Sequence, residues 1–140
     1  MSDYVVDASV AVKWLLIEEH RDAALRLMEG GNRLHAPDFI LLELANVICT
    51  RVRRREMAEH AGVRAHALFQ TFLVQMHDSA PLFHSAFSIA LRTRQSVYDS
   101  LYVALAVVLG ARLVTADRRL VEGLSGRPFE ERVVWVGDVG

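Results

Sequence analysis

At 140 residues, 52% of them hydrophobic, the chain is long enough to bury a sizeable core and shows no break in composition, so one domain spanning 1–140 is expected. A formal charge of −1 argues against a globally basic nucleic-acid binder and leaves room only for a local basic patch. The single cysteine, Cys49, excludes an internal disulfide and a multi-thiolate zinc site, and its apolar helical surroundings predict a buried, inert thiol.

In chain order, Tyr4 to Val6 reads as a short strand ending at Asp7, and Ser9 opens a helix with Val10, Trp14 and Ile17 on one face. A second helix is expected from Arg21 to Met28, stopped by Gly30 and Gly31, followed by a strand at Leu34 to Ala36. Pro37 and Asp38 then start a helix reaching about Arg54, with Asp38 as a credible N-cap. A helix from about Ala61 to Phe72 leads to a strand at Leu73 to Met76. Helices at Phe83 to Thr93 and Tyr98 to Leu109 end at Gly110, before a strand at Arg112 to Val114. A helical turn after Arg118 and a β-type run, Val133 to Val136, complete the chain. Strands separated by helices predict an α/β fold, a three-layer α/β/α sandwich around a central, mainly parallel sheet. No basic-then-apolar leader and no run of membrane-spanning length is visible, which predicts a cytoplasmic protein without membrane contact.

Four acids stand isolated in apolar stretches: Asp7 after Tyr-Val-Val, Glu43 after Phe-Ile-Leu-Leu, Asp99 before Ser-Leu-Tyr, and Asp117 after Leu-Val-Thr-Ala. A carboxylate removed from water without compensation costs several kcal/mol, so each needs a partner. Taken singly, Asp99 reads as an acid favoured at a helix N-terminus, Asp117 as an N-cap, and Glu43 as a side chain that simply reaches solvent or one that faces a cleft. Taken together, Asp7 and Asp117 fall at strand ends and Glu43 and Asp99 in early helical turns, so all four are expected to face the crevice beyond the carboxyl ends of the strands. Crowded carboxylates there would be relieved by a divalent ion, and oxygen-only ligands favour Mg²⁺ or Mn²⁺ over zinc. Glu43 shares a stripe with Asn46 and Thr50 on a helix otherwise covered by apolar residues, which predicts a mostly buried helix with one face toward a polar cleft.

The ordered set Val-Val-Asp-Ala-Ser-Val, Glu-Leu-Ala-Asn, Tyr-Asp-Ser-Leu-Tyr-Val-Ala-Leu-Ala and Leu-Val-Thr-Ala-Asp-Arg-Arg-Leu resembles a PIN-domain ribonuclease, and more narrowly the toxin of a VapBC-type toxin–antitoxin pair. The resemblance runs from Asp3 to about Leu120; the middle region, about Arg53 to Ala80, carries no matching motif. It implies that Asp7, Glu43, Asp99 and Asp117 are the acidic quartet around Mg²⁺ or Mn²⁺, with Thr115 and Ser9 at the family's hydroxyl positions. It further implies an RNA substrate, a homodimer, and a VapB-like antitoxin whose tail covers the acidic cleft. In that chemistry Asp7 and Asp99 would bind metal most directly, Glu43 and Asp117 would complete the site, and Ser9, Asn46 and Thr115 would orient carboxylates or waters.

For holding RNA, Arg118 and Arg119 directly follow Asp117 and are the first candidates, with Lys13 a further one. The cluster Arg51 to Arg55 is read first as a solvated helix end. His35, His77 and His84 read as turn or strand-end residues and not as metal ligands. Trp14, Leu15 and Leu16 would line a partner groove if exposed, the alternative being core packing. Two other activities stay in comparison. An aspartyl phosphohydrolase would carry a second Asp where Ser9 stands, and a PIN-like module that only binds RNA or protein would be expected to lose quartet acids.

Overall fold

The computed structural model describes residues 2–139. Its elements are β1 (Asp3–Val6), α1 (Ala8–Leu15), α2 (Arg21–Glu29), β2 (Arg33–Pro37), α3 (Phe39–Arg53), α4 (Glu59–Phe69), β3 (Val74–His77), α5 (Phe83–Thr93), α6 (Val97–Leu109), β4 (Arg112–Thr115), α7 (Arg118–Leu124) and β5 (Val133–Trp135). The five strands form one sheet in the order β3-β2-β1-β4-β5, every pair parallel. Tyr4 lies beside Leu34 on one side and Arg112 on the other, which makes β1 the central strand. Its Val5 and Val6 are fully buried, as a strand covered on both faces requires.

The chain winds outward from β1 to β3, then returns through α5 and α6 to β4 and continues to β5. Right-handed crossovers running in opposite directions place their helices on opposite faces. Accordingly α1 packs with α2, α3 and α4, while α6 lies across β1, β2 and β4 with α5 against it. The reversal of strand order falls between β1 and β4, and such a switch point opens a crevice at the carboxyl ends of its two strands. Asp7 immediately follows β1, and Asp117 stands two residues past the end of β4.

Most elements lie where the hydrophobic pattern places them, and the departures have physical causes. Ile17 falls beyond α1, which ends at Leu15, and is 89% exposed. Trp14 is core: it stacks on Phe69 at 6.4 Å, and its Nε1 donates to the Ala24 carbonyl at 2.7 Å. Leu15 and Leu16 pack partly buried against the same core, so this segment forms no open partner groove. Pro37 ends β2, and Asp38 makes no capping bond to α3; its Oδ1 instead accepts from the amide and hydroxyl of Ser79, joining the ends of β2 and β3. His84 lies within α5 and not in a turn, whereas the buried His35 on β2 bridges Asp3 and His77.

Helix α3 is more open to solvent than its apolar pattern predicts. Cys49 is exposed, and Leu42 is 67% exposed, so the helix is not enclosed on most sides. Ala45, Ile48, Cys49 and Val52 form one wall of an apolar groove of about 620 Å³ whose other wall is Gly62, Val63, His66 and Ala67 of α4. The two helices meet closely at Gly62, where a Cβ would stand 2.6 Å from Ile48 Cγ2.

Candidate active site

β1 ends at Val6 and α1 begins at Ala8, so Asp7 occupies the joint and caps the helix, its Oδ1 accepting from the Val10 amide at 3.3 Å. The Ser9 hydroxyl donates to Oδ1 at 2.5 Å and the Thr115 hydroxyl to Oδ2 at 2.5 Å. Both hydroxyls also accept from the turn after β4: the Ala116 amide donates to Ser9 Oγ at 2.9 Å and the Asp117 amide to Thr115 Oγ1 at 3.1 Å. Ser9 and Thr115 thus stitch the first acid to the turn that carries the last. Burial, joined by the negative charge of Glu43, pushes the Asp7 carboxyl up to about 7 against the pull of these hydroxyls.

Glu43 sits one turn into α3 and accepts from the Tyr102 hydroxyl at 2.6 Å. Burial raises its pKa first, then the charges of Asp99 and Asp117. Asp99 lies in the first turn of α6, which Ser96 caps by accepting from the Asp99 amide at 3.0 Å. Its carboxyl is likewise raised, first by burial and then by Asp117, while Arg119 lowers it. Asp117 caps α7, accepting from the Arg119 amide at 3.0 Å. The local roles open to each acid are therefore filled at Asp7, Asp99 and Asp117, and the charges still act across the crevice: Glu43 raises Asp7, Asp99 and Asp117 raise Glu43, and Asp117 raises Asp99.

Tyr102 is the residue that sequence reasoning missed. It is 1% exposed, its own ionisation is driven far up by burial and by Glu43, and it remains a donor at every accessible pH. The available signal was its place three positions after Asp99, on the same side of an otherwise apolar helix.

The cations divide differently from expectation. Arg119 is 93% exposed on its side chain and sets Nε 3.7 Å from Asp117 Oδ1, beside the acids. Arg118 turns its guanidinium over Trp135, 4.0 Å from the ring centroid. Lys13 is buried and pairs with Glu18 at 2.9 Å, which Arg51 also binds at 2.6 Å, so Lys13 serves the joint between α1 and α3 and is not held out toward phosphate. Asn46 is exposed, its carbonyl accepting from the Thr50 hydroxyl at 3.1 Å, and it is not drawn into the bonds around Asp7.

The donor set is carboxylate oxygen throughout, and three of its members have raised pKa values, the electrostatic strain that a bound divalent cation relieves. Among the described residues, no three acids, histidines or cysteines are disposed to hold one ion as their side chains lie. Gathering the four acids around one ion therefore requires side-chain movement at the crevice. In donor type and electrostatics the set fits a hard cation.

The profile of the PIN domain matches residues 4–123. Ribonuclease VapC3 of Pyrobaculum aerophilum is 35% identical over 120 residues, covering 84% of this chain and 92% of that protein. The crystal structure of PAE2754 from the same organism superposes with a TM-score of 0.73 at 21% identity, covering 97% of this chain and 90% of the other. A toxin–antitoxin complex from Klebsiella pneumoniae contains a chain with a TM-score of 0.62 at 13% identity, covering 97% and 99%.

Proposed function

The chain belongs to the PIN-domain family, in its VapC-type branch, and from that premise we propose that it is a Mg²⁺- or Mn²⁺-dependent endoribonuclease acting as the toxin of a type II toxin–antitoxin pair. The observation that carries the proposal is the convergence of Asp7, Glu43, Asp99 and Asp117 at the switch point of the sheet, where their negative charges raise the Asp7, Glu43 and Asp99 carboxyls. When bound, a divalent ion would neutralise phosphate charge and acidify the attacking water. Asp7 and Asp99 would hold it most directly, with Glu43 and Asp117 completing the set. Ser9 and Thr115 fix the orientation of Asp7 through its two oxygens. Glu43, steadied by Tyr102 and raised in pKa by burial, would accept a proton from the attacking water. Arg119 stands beside the acids to meet a phosphate, whereas Arg118 is held on Trp135.

The partners in this reading are a VapB-like antitoxin and a second copy of the chain. The apolar groove between α3 and α4, and the exposed Phe83, Phe87 and Leu91 of α5, are surfaces of the kind such partners cover. No helix among the described residues is long and apolar enough to cross a membrane, in keeping with a proposed cytoplasmic setting. Incubation of the purified chain with total RNA and Mg²⁺ or Mn²⁺ should give discrete cleavage ends that vanish in excess chelator. Undiminished cleavage with chelator, or none with either metal, would sink the proposal.

A further inference from the structure

Phe39 opens α3 one turn before Glu43, and Tyr98 lies in the first turn of α6 beside Asp99. Their rings are stacked, centroids 5.4 Å apart and planes 9° from parallel. Phe39 is half-buried and serves as backing, while Tyr98 is 62% exposed. A large aromatic ring held flat and open on an element that carries an acid of the crevice is suited to meeting another flat ring. Phe83 and Phe87 also stack, but on α5, which carries none of the four acids.

We propose that Phe39 and Tyr98 form a stacking platform for a nucleobase of single-stranded RNA passing the acid crevice. The proposal rests on the nuclease reading above and adds to it how the strand is held beside the reacting phosphate. Phosphate contacts alone fix the backbone, whereas stacking fixes a base and tolerates sequence, because every base has a π face. The platform is preorganised: Tyr98 already lies against Phe39, so binding a base orders little that was free. Arg119, whose charge lowers the Asp99 carboxyl, supplies a cation within the same crevice for the adjoining phosphate.

The test compares two oligomers of equal length and charge, a single-stranded oligoadenylate and an abasic ribose-phosphate chain, titrated in excess chelator at low salt against wild type, Tyr98→Leu and Tyr98→Trp. Wild type should bind the oligoadenylate more tightly than the abasic chain, Tyr98→Leu should weaken only the former, by roughly tenfold, and Tyr98→Trp should retain the difference. Tyr98 is exposed, so these variants leave the core untouched. Equal affinity of wild type for both oligomers would overturn the platform. So would a Tyr98→Leu penalty that persists on the abasic chain, the result expected if the ring served protein association, or a Tyr98→Leu protein that discriminates as well as wild type. Metal-dependent cleavage of total RNA by wild type, run alongside, separates the two failures: loss of cleavage sinks the nuclease reading, and cleavage without base-dependent binding sinks the platform alone.

Discussion

The hydroxyl of Tyr102 donates to Glu43 Oε1 at 2.6 Å, joining two residues 59 positions apart and tying α6 to α3 across the crevice. A hydrogen bond to a charged acceptor contributes about 1.5–3 kcal/mol, and here it also restrains an acid that its neighbours push toward protonation. Tyr102→Phe keeps the buried ring and removes only the donor. Cleavage is expected to fall about tenfold, with the acid limb of its pH profile moved to higher pH, because the Glu43 carboxyl is no longer held down. An unchanged profile would reduce the hydroxyl to a satisfied core group.

Asp7 gives the metal-free chain a pH dependence of definite sign. Its folded pKa of about 7 lies above the ordinary 3.8, so the unfolded chain loses this proton first as pH rises. The contribution to stability is fully present below about pH 4, falls as pH climbs toward 7, and is then constant. The interval corresponds to roughly 4 kcal/mol at most. Urea unfolding in chelator should show wild type less stable at pH 8 than at pH 5, and Asp7→Asn should remove much of that slope. Glu43 and Asp99, raised in the same direction, leave a remainder. Equal slopes in the two proteins would place the burden on other groups.

The acids were legible because isolated carboxylates in apolar runs are costly unless partnered, and the strand-end rule says where such partners meet. The parallel sheet followed from strands alternating with helices. Side-chain partners were less legible. Tyr102 and Glu43 lie on different helices, and Lys13 finds Glu18 only because the chain turns back after α1. Cys49 and Leu42 on α3 show a different limit. Apolar character says what a side chain would gain from burial, not whether the fold supplies a neighbour, and α4 covers only part of α3. The histidines divide similarly: His35 is buried because it bridges Asp3 and His77, a pairing across three strands that spacing does not show.

Arg118 and Arg119 are adjacent in sequence and divergent in role. Arg119→Ala removes the cation beside Asp117, so affinity for a non-cleaved RNA should drop and the log–log salt slope should flatten by about 0.7, the value for one phosphate contact on a single strand. Arg118→Ala removes a guanidinium from the face of Trp135, worth about 0.5–2 kcal/mol, and should lower unfolding free energy while changing the salt slope less. Salt titrations and urea unfolding of both single variants provide the comparison. A larger slope change for Arg118→Ala would reverse the assignment.

Glu18 holds two cations at once, Lys13 of α1 at 2.9 Å and Arg51 of α3 at 2.6 Å, and so fastens the helix that follows Asp7 to the helix that carries Glu43. Burial would raise its pKa, but the bonds to Arg51 and Lys13 more than offset that, leaving the carboxyl below the ordinary 4.5. A depressed folded pKa contributes stability that is present above the unfolded value and is lost as pH falls through the folded one. Glu18→Gln keeps the shape but leaves Lys13, whose side chain is 11% exposed, without its counter-charge. Denaturant unfolding should show a loss of about 1–3 kcal/mol at pH 7. The gap to wild type should narrow as pH drops below the ordinary glutamate range, because protonation removes the same charge from the wild-type protein. A gap that stays constant down to acid pH would mean that Glu18 acts through packing, and the ion pairs would then contribute little to the joint between α1 and α3.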